Sequence, residues 1–356
     1  MAKRFLMYPM TKDQCAIARY SDMMKGCCIS GMLVPPFWNL NNVDVSAIDG
    51  GTKTKLTIEA YSKEMLPGNE ALYIDFDENM ESLGVYLSIM EDAKHCGLDV
   101  FLSNKLALKL ENETKVKAGY ENAQIHAVHR LYEIPVPIVT VLSQGTRTDQ
   151  LAVELALRSH FAAKGYNVSQ IGSIFECEFF GFEGFPNFMH FDGNAYNQAL
   201  MFNHYCKNLV DREKPDVLII GIPGAIMKYS DGLLNGLGIF PFIVCSAIRS
   251  DLQILCMYHG NYNKKYFDEM EKFGNYRFNS PFKRFCLSNT MYSPDLSNDI
   301  VKNKYLDVDC ELVINAVKGE AELNDIGIYS PLDKNSVKQL CDSVLNELAT
   351  NAQNIR

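Results

Sequence analysis

No stretch of this 356-residue chain approaches the ~20 uninterrupted apolar residues of a membrane-spanning helix, so the sequence predicts no helical span. The eleven cysteines contain no C-x-x-C, are odd in number and are scattered, with Cys27 and Cys28 adjacent. That spacing argues against a disulfide framework and against a structural zinc site. Basic charge is also short. With 34 Lys and Arg against 43 Asp and Glu, the formal charge is -9, which gives nucleic acid no electrostatic reason to bind. The opening MAKRFLMYPM lacks the apolar core of a secretory signal, and Pro9 interrupts it, so the expectation is a cytoplasmic protein with free thiols. No G-x-S-x-G elbow, internal repeat, low-complexity tract or heptad is present.

What is present is an ordinary globular composition, 47% hydrophobic and 22% charged, in a chain longer than one core usually serves. Short apolar strands alternate with helical stretches of ten or more residues, the pattern of βαβ units and parallel sheets. The predicted elements are strands at residues 4–8, 28–34, 71–74 and 100–102, with helices at 13–25 and 80–95. These make residues 1–105 a Rossmann-like or flavodoxin-like domain. A polar helical linker is expected over 106–133, after which IPVPIV restarts an extended chain. Residues 134–356 are expected to form a second parallel α/β domain, like a P-loop NTPase. Its helices are placed at 150–164, 195–212, 264–273 and 335–350, and its strands at 166–171 and 217–221. The apolar runs 239–246 and 252–258 are expected to complete the sheet.

The segment PIVTVLSQGTRTDQLAVELAL, Pro137 to Leu157, is a strand, turn and helix of the kind that brings a phosphate to a helix N-terminus. Ser143, Gly145, Thr146 and Thr148 supply the small residues and hydroxyls of such a cradle, and Arg147 its single cation. G-x-x-x-x-G-K-[ST] itself is absent, because no lysine is there. The apolar rhythm of Val153, Leu155 and Leu157 sets Arg147, Thr148 and Asp149 at the Gly-Lys-Thr step. Asp149 would then repel a phosphate unless it serves the helix terminus. The later strand PDVLIIGIPGAI carries Asp216 at its start but only Gly221, Pro223 and Gly224 at its end, so the magnesium-holding acid is missing too. The expectation is a degenerate phosphate loop that binds without hydrolysis. A nucleotide or an acyl-CoA is the ligand class it suits, no metal is expected, and Gly221, Pro223 and Gly224 are placed as pocket walls.

Other constellations are weaker. FECEFFGFEGFPNFMHF, residues 175–191, holds seven phenylalanines, two glycines and Pro186. Core packing beneath an irregular connection is its expected role, with a lid or peptide groove as the alternative. Glu176, Glu178, His190 and Asp192 are its acid/base candidates, and Glu178 leads because it follows the second strand of the domain. Residues 49–55, DGGTKTK, resemble a phosphate loop but lack the flanking strand and helix, and are expected to be a surface turn. His126 and His129 lie i, i+3, and two ligands make no metal site.

Three segments resemble one family: YPMTKDQCAIARYSDMMKGCCISGMLVPPFW, GYNVSQIGSIFECEFFGFEGFPNFM and KPDVLIIGIPGAIM. They are similar to the peptide maturation system proteins found mainly in clostridia, which are encoded near radical-SAM maturases and short precursor peptides. The resemblance spans most of residues 1–290. It implies an accessory role in maturing a ribosomally made peptide, with the precursor peptide or the maturase as partner, and it carries no reaction or catalytic residue. A looser, architectural resemblance joins GLDVFLSNKLALKL and the loop at Pro137 to two-domain D-amino-acid N-acyltransferase-like proteins. Those carry the lysine that is missing here. A phosphoryl- or acyl-transferase is therefore the second expectation, with Arg147 and Glu178 as its catalytic candidates, and a non-catalytic scaffold is the third.

Overall fold

A computed structural model describes residues 2–77, 80, 82–114, 130–190, 194–229, 238–295, 302–319, 323 and 325–354. The chain divides into two compact units. Met1–Asp49, Lys53–Asn122 and Glu178–Gly181 form the first, and Gly50–Thr52, Ala123–Cys177 and Phe182–Arg356 form the second. His126 and His129 lie outside the described residues, as does most of the expected linker helix.

The first unit runs β1 (Lys3–Tyr8), α1 (Lys12–Arg19), β2 (Cys27–Val34), β3 (Val43–Asp44), α2 (Ser46–Asp49), β4 (Thr57–Ala60), β5 (Ala71–Ile74), α3 (Leu83–His95), β6 (Asp99–Leu102) and α4 (Asn104–Thr114). Its sheet order is β3-β4-β2-β1-β5-β6, parallel except where β3 meets β4. Leu6, Tyr8, Leu72 and Ile74 of the central strands pack against Tyr86 and Ile89 of α3. Each such side chain contributes roughly 1.5–3 kcal/mol when fully buried. Helix α1 starts where Thr11 accepts from the Gln14 N–H and ends at Arg19, short of the expected residue 25. Arg19 pairs there with the buried Asp49 carboxylate at 2.6 Å, and Ser21–Met23 turns as a 3-10 segment. Asp49 and Gly51 are buried, so residues 49–55 are not the plain surface turn expected of them.

The second unit is built from β7 (Ile138–Ser143), α5 (Gln150–Ala163), β8 (Val168–Ile171), α6 (Ala195–Glu213), β9 (Val217–Ala225), α7 (Ile239–Ala247), β10 (Leu252–Met257), α8 (Lys264–Phe278), β11 (Phe282–Leu287), β12 (Thr290–Asp295), β13 (Lys302–Asp307), α9 (Cys310–Gly319), β14 (Ile328–Tyr329) and α10 (Lys334–Asn354). Its main sheet, β14-β11-β10-β7-β9-β8, is parallel throughout, and β12 and β13 pair antiparallel beside it in sequence. β7, β9 and β10 read as continuous apolar runs because the strands of a parallel sheet are covered on both faces.

One expected strand is a helix. Residues 239–246, expected to complete the sheet, lie in α7 (Ile239–Ala247). A short apolar run does not distinguish a buried strand from a buried helix. Gly238 at φ 71° caps this one, and Pro241 falls in the first turn, where its missing N–H costs no helical bond.

Candidate functional site

The loop between β7 and α5 lies at the carboxyl edge of the parallel sheet. There the order turns back, with β9 and β8 on one side of β7 and β10 on the other. Ligands of open α/β sheets bind at such a switch point. Arg147 (φ 62°) and Asp149 (φ 57°) are both left-handed. Among the described residues, no acceptor is bonded to the N–H groups of Gly145, Thr146 or Arg147. Successive free N–H groups with left-handed residues make a concave nest for an anion. Thr148 is buried, its hydroxyl donating to the Gly145 carbonyl at 3.1 Å.

The start of α5 admits two registers of the phosphate-loop comparison. Asp149 is the left-handed residue immediately before the helix. Counted from Asp149 as the residue before the helix, the lysine position falls at Gln150 and the hydroxyl position at the buried Leu151; counted from the equally left-handed Arg147, they fall at Thr148 and Asp149. The Gln150 amide donates to the carbonyls of Val141 (3.1 Å) and Ile222 (3.0 Å), tying the carboxyl ends of β7 and β9 together. Asp149 makes no side-chain cap bond; its carboxylate accepts from the Ser288 hydroxyl at 2.6 Å.

Arg147 is not free to meet an anion. Its Nη2 lies 2.7 Å from Oδ2 of Asp307, with both side chains mostly buried, and its guanidinium sits 5.1 Å from the Tyr305 ring centre. The Tyr305 hydroxyl is 2.9 Å from the Thr146 hydroxyl, and Thr290 donates to Asp307 at 2.5 Å. The β12–β13 pair is thus fastened to the loop. Tyr258 stacks on Tyr292 (5.0 Å between ring centres) and Tyr292 on Tyr305 (5.3 Å). The Tyr258 hydroxyl donates to the Thr146 carbonyl at 2.8 Å, and burial pushes this phenol far above its ordinary value. Gln144 completes the frame. It accepts from the Tyr258 N–H at 3.0 Å and donates to the Tyr266 hydroxyl at 2.7 Å.

The expected pocket walls adjoin this loop. The Ser143 hydroxyl donates to the Gly224 carbonyl at 3.1 Å, and Gly221, Pro223 and Gly224 all lie within β9. A buried acid that sequence reading passed over, Glu154 on α5, lies against Gly221 and accepts from the Ser173 N–H at 3.0 Å. Its signal was a charge inside the apolar rhythm of α5.

Glu178 is exposed and belongs to the first unit, whereas the loop residues belong to the second. In the phenylalanine-rich segment, Phe180, Phe182, Phe185 and Met189 are buried, the packing role expected of it. His190 is held below its usual value by burial, and Asp192 lies outside the described residues.

The first unit holds a second set of residues that the sequence did not flag. At the carboxyl ends of β1 and β5, the Thr11 hydroxyl donates to Asp75 at 2.7 Å and the Phe76 N–H donates to its other oxygen at 2.7 Å. Burial raises the Asp75 carboxyl above its ordinary value even so. Acids just past a strand end, Asp75 and Asp77 after β5 here, were the readable signal. Among the described residues no group of three or more His, Cys, Asp or Glu is arranged to hold a metal ion, and no helix is long and apolar enough to cross a membrane.

No family model and no curated protein matches this chain. Among solved structures, the crystal structure of a DUF1611 family protein from Anabaena variabilis ATCC 29413 superposes with a TM-score of 0.59 at 12% identity, covering 98% of this chain and 99% of that one. The two chains share a fold. A pseudomurein peptide ligase type C from Methanothermus fervidus aligns at a TM-score of 0.28 and 10% identity, covering 80% of this chain and 44% of that one, too little to carry an argument. The shared fold is the two-unit α/β architecture with parallel sheets, and at this identity it brings no activity with it.

Proposed function

We propose that the protein is a non-hydrolysing accessory protein of peptide maturation. In this reading it binds a precursor peptide or its maturase and holds a nucleotide or acyl-CoA phosphate at the β7–α5 loop. One observation supports it above others. The backbone N–H groups of Gly145 to Arg147 have no bonded acceptor among the described residues, while the lysine position holds Thr148 or Gln150 and in neither register a lysine. Such a loop retains donors for a phosphate and lacks the groups that place magnesium and stabilise transferred charge.

A structural role for the loop is the second reading. The Asp149 carboxylate stands at the helix terminus, and Asp307 already occupies Arg147. Calorimetric titration with ATP, ADP and acetyl-CoA separates the two, alongside phosphate-release assays and co-elution with the precursor peptides and maturase encoded nearby. Binding without turnover, and co-elution of a partner, are expected. Saturable binding by none of the three ligands supports the structural reading, and failure of every partner to co-elute sinks the accessory role.

A further inference from the structure

We infer that the groove between α6 and α7 docks an acidic peptide segment through one apolar anchor residue. The inference deepens the peptide-binding part of the function proposed above and rests on it. Ala195, Tyr196 and Ala199 from α6, Phe242 and Ile243 from α7, and Leu131 line an open recess of about 260 Å³. Ala195 and Ala199 lie one turn apart on α6, and the buried Leu200 and Ile243 also line the recess. Leu131, Tyr196 and Phe242 are 47%, 54% and 40% exposed, so the recess is an apolar patch open to solvent. Its volume falls below the roughly 300–1,000 Å³ of a cofactor or drug-sized site. One large apolar side chain of a partner fits it better.

The recess is built rather than incidental. Asn203, 1% exposed, accepts from the Tyr132 N–H at 2.7 Å and donates to the carbonyls of Tyr132 and Ala247, both at 2.9 Å. One amide on α6 thereby fixes the chain beside Leu131 and the end of α7. A preformed wall reduces the ordering cost that a docking peptide must meet.

Charge selects the partner. Arg277 lies over the Phe242 ring, its guanidinium 4.4 Å from the ring centre, and Arg130 directly precedes Leu131. Among the described residues neither makes an ion pair, as is also true of Arg4, Arg158 and Arg249, whereas Arg19, Arg147, Arg212 and Arg284 each face a carboxylate. In a chain of net charge -9, two unpaired arginines beside one apolar recess complement an acidic segment and repel a basic one. Arginine and tyrosine are also the residues that most often dominate such contacts.

The test is fluorescence anisotropy with a labelled twelve-residue peptide that has one leucine flanked by glutamates, against the same peptide with glutamines or lysines. The glutamate peptide is expected to bind at least tenfold more tightly than the glutamine one and to weaken with salt. Phe242→Ala, and separately Arg130→Glu with Arg277→Glu, should each lower affinity tenfold or more at unchanged melting temperature. Equal binding of all three peptides overturns the inference, and so does indifference to these substitutions. Two further results overturn it: a dimer that Phe242→Glu splits, and sedimentation with phosphatidylserine vesicles without peptide binding. If the glutamate peptide binds but no neighbouring precursor or maturase does, the proposed function fails while this groove stands. If a precursor binds and the glutamate peptide does not, only the groove assignment fails.

Discussion

The hydroxyl of Tyr258 stands 2.3 Å from the point where a Cβ on Gly145 would be, closer than a real Cβ ever comes to another atom. Glycine at 145 is therefore required by that approach, and Gly145→Ala must push Tyr258 off the Thr146 carbonyl and disturb its stack on Tyr292. Overpacking of this kind costs about 1–3 kcal/mol. Denaturant unfolding of Gly145→Ala, Tyr258→Phe and the double variant checks the coupling. The double variant is expected to lose less than the sum of the singles, and strict additivity would show that the approach imposes nothing.

The contact between Arg147 and Asp307 makes a prediction about ligands. If the loop receives phosphate, Asp307 competes with it for the single cation. Asp307→Asn should then tighten binding of pyrophosphate several-fold, and adding Arg147→Ala should remove that gain. Titration calorimetry at low salt reads both, since the pair is partly exposed and screened at high ionic strength. Unchanged affinity in Asp307→Asn would mean that Arg147 takes no part in binding.

Gly221 carries a parallel constraint. A Cβ there would stand 2.2 Å from the Glu154 carboxylate, which is fully buried and accepts from the Ser173 N–H. Gly221→Ala is expected to destabilise by about 2 kcal/mol or more, because it both overpacks the strand and drives a buried carboxylate from its donor. Glu154→Ala in the same chain should recover part of that loss in equilibrium unfolding, and equal losses with and without Glu154 would refute the clash.

Much of the fold was legible because each parallel strand announces itself as a short apolar run and each helix by its period and caps. β5 was bounded to the residue, and α5 nearly so, with Gly165 just beyond its end. α7 differs from the expected strand because a run of eight residues, apolar but for Ser246, carries no period that separates strand from helix. The register of the phosphate-loop comparison is not legible from apolar rhythm, which does not report which residues turn left-handed, and Arg147 and Asp149 both do so without being glycine. The clasp of Asp307, Tyr305 and Tyr258 on the loop joins residues over 110 apart in sequence, and no local pattern encodes such a meeting.

Asp75 gives a prediction in pH. It is 5% exposed, and burial raises its carboxyl above the ordinary 3.8 despite the Thr11 and Phe76 donors and the field of Lys105. A carboxyl whose folded value is raised holds its proton in the native state over a range where the unfolded chain has released it. Stability therefore falls as pH rises through 3.8 and on through the raised folded value, and the loss persists at neutral pH. Asp75→Asn keeps the shape, its amide oxygen accepting from the Phe76 N–H and its NH2 donating to the Thr11 hydroxyl oxygen, while removing the buried charge. It should unfold at higher temperature than the parent at pH 7, with the difference shrinking below pH 4. A variant less stable than the parent at pH 7 would mean that the hydrogen bonds to the ionised carboxylate outweigh its desolvation, reversing the direction assigned to this group.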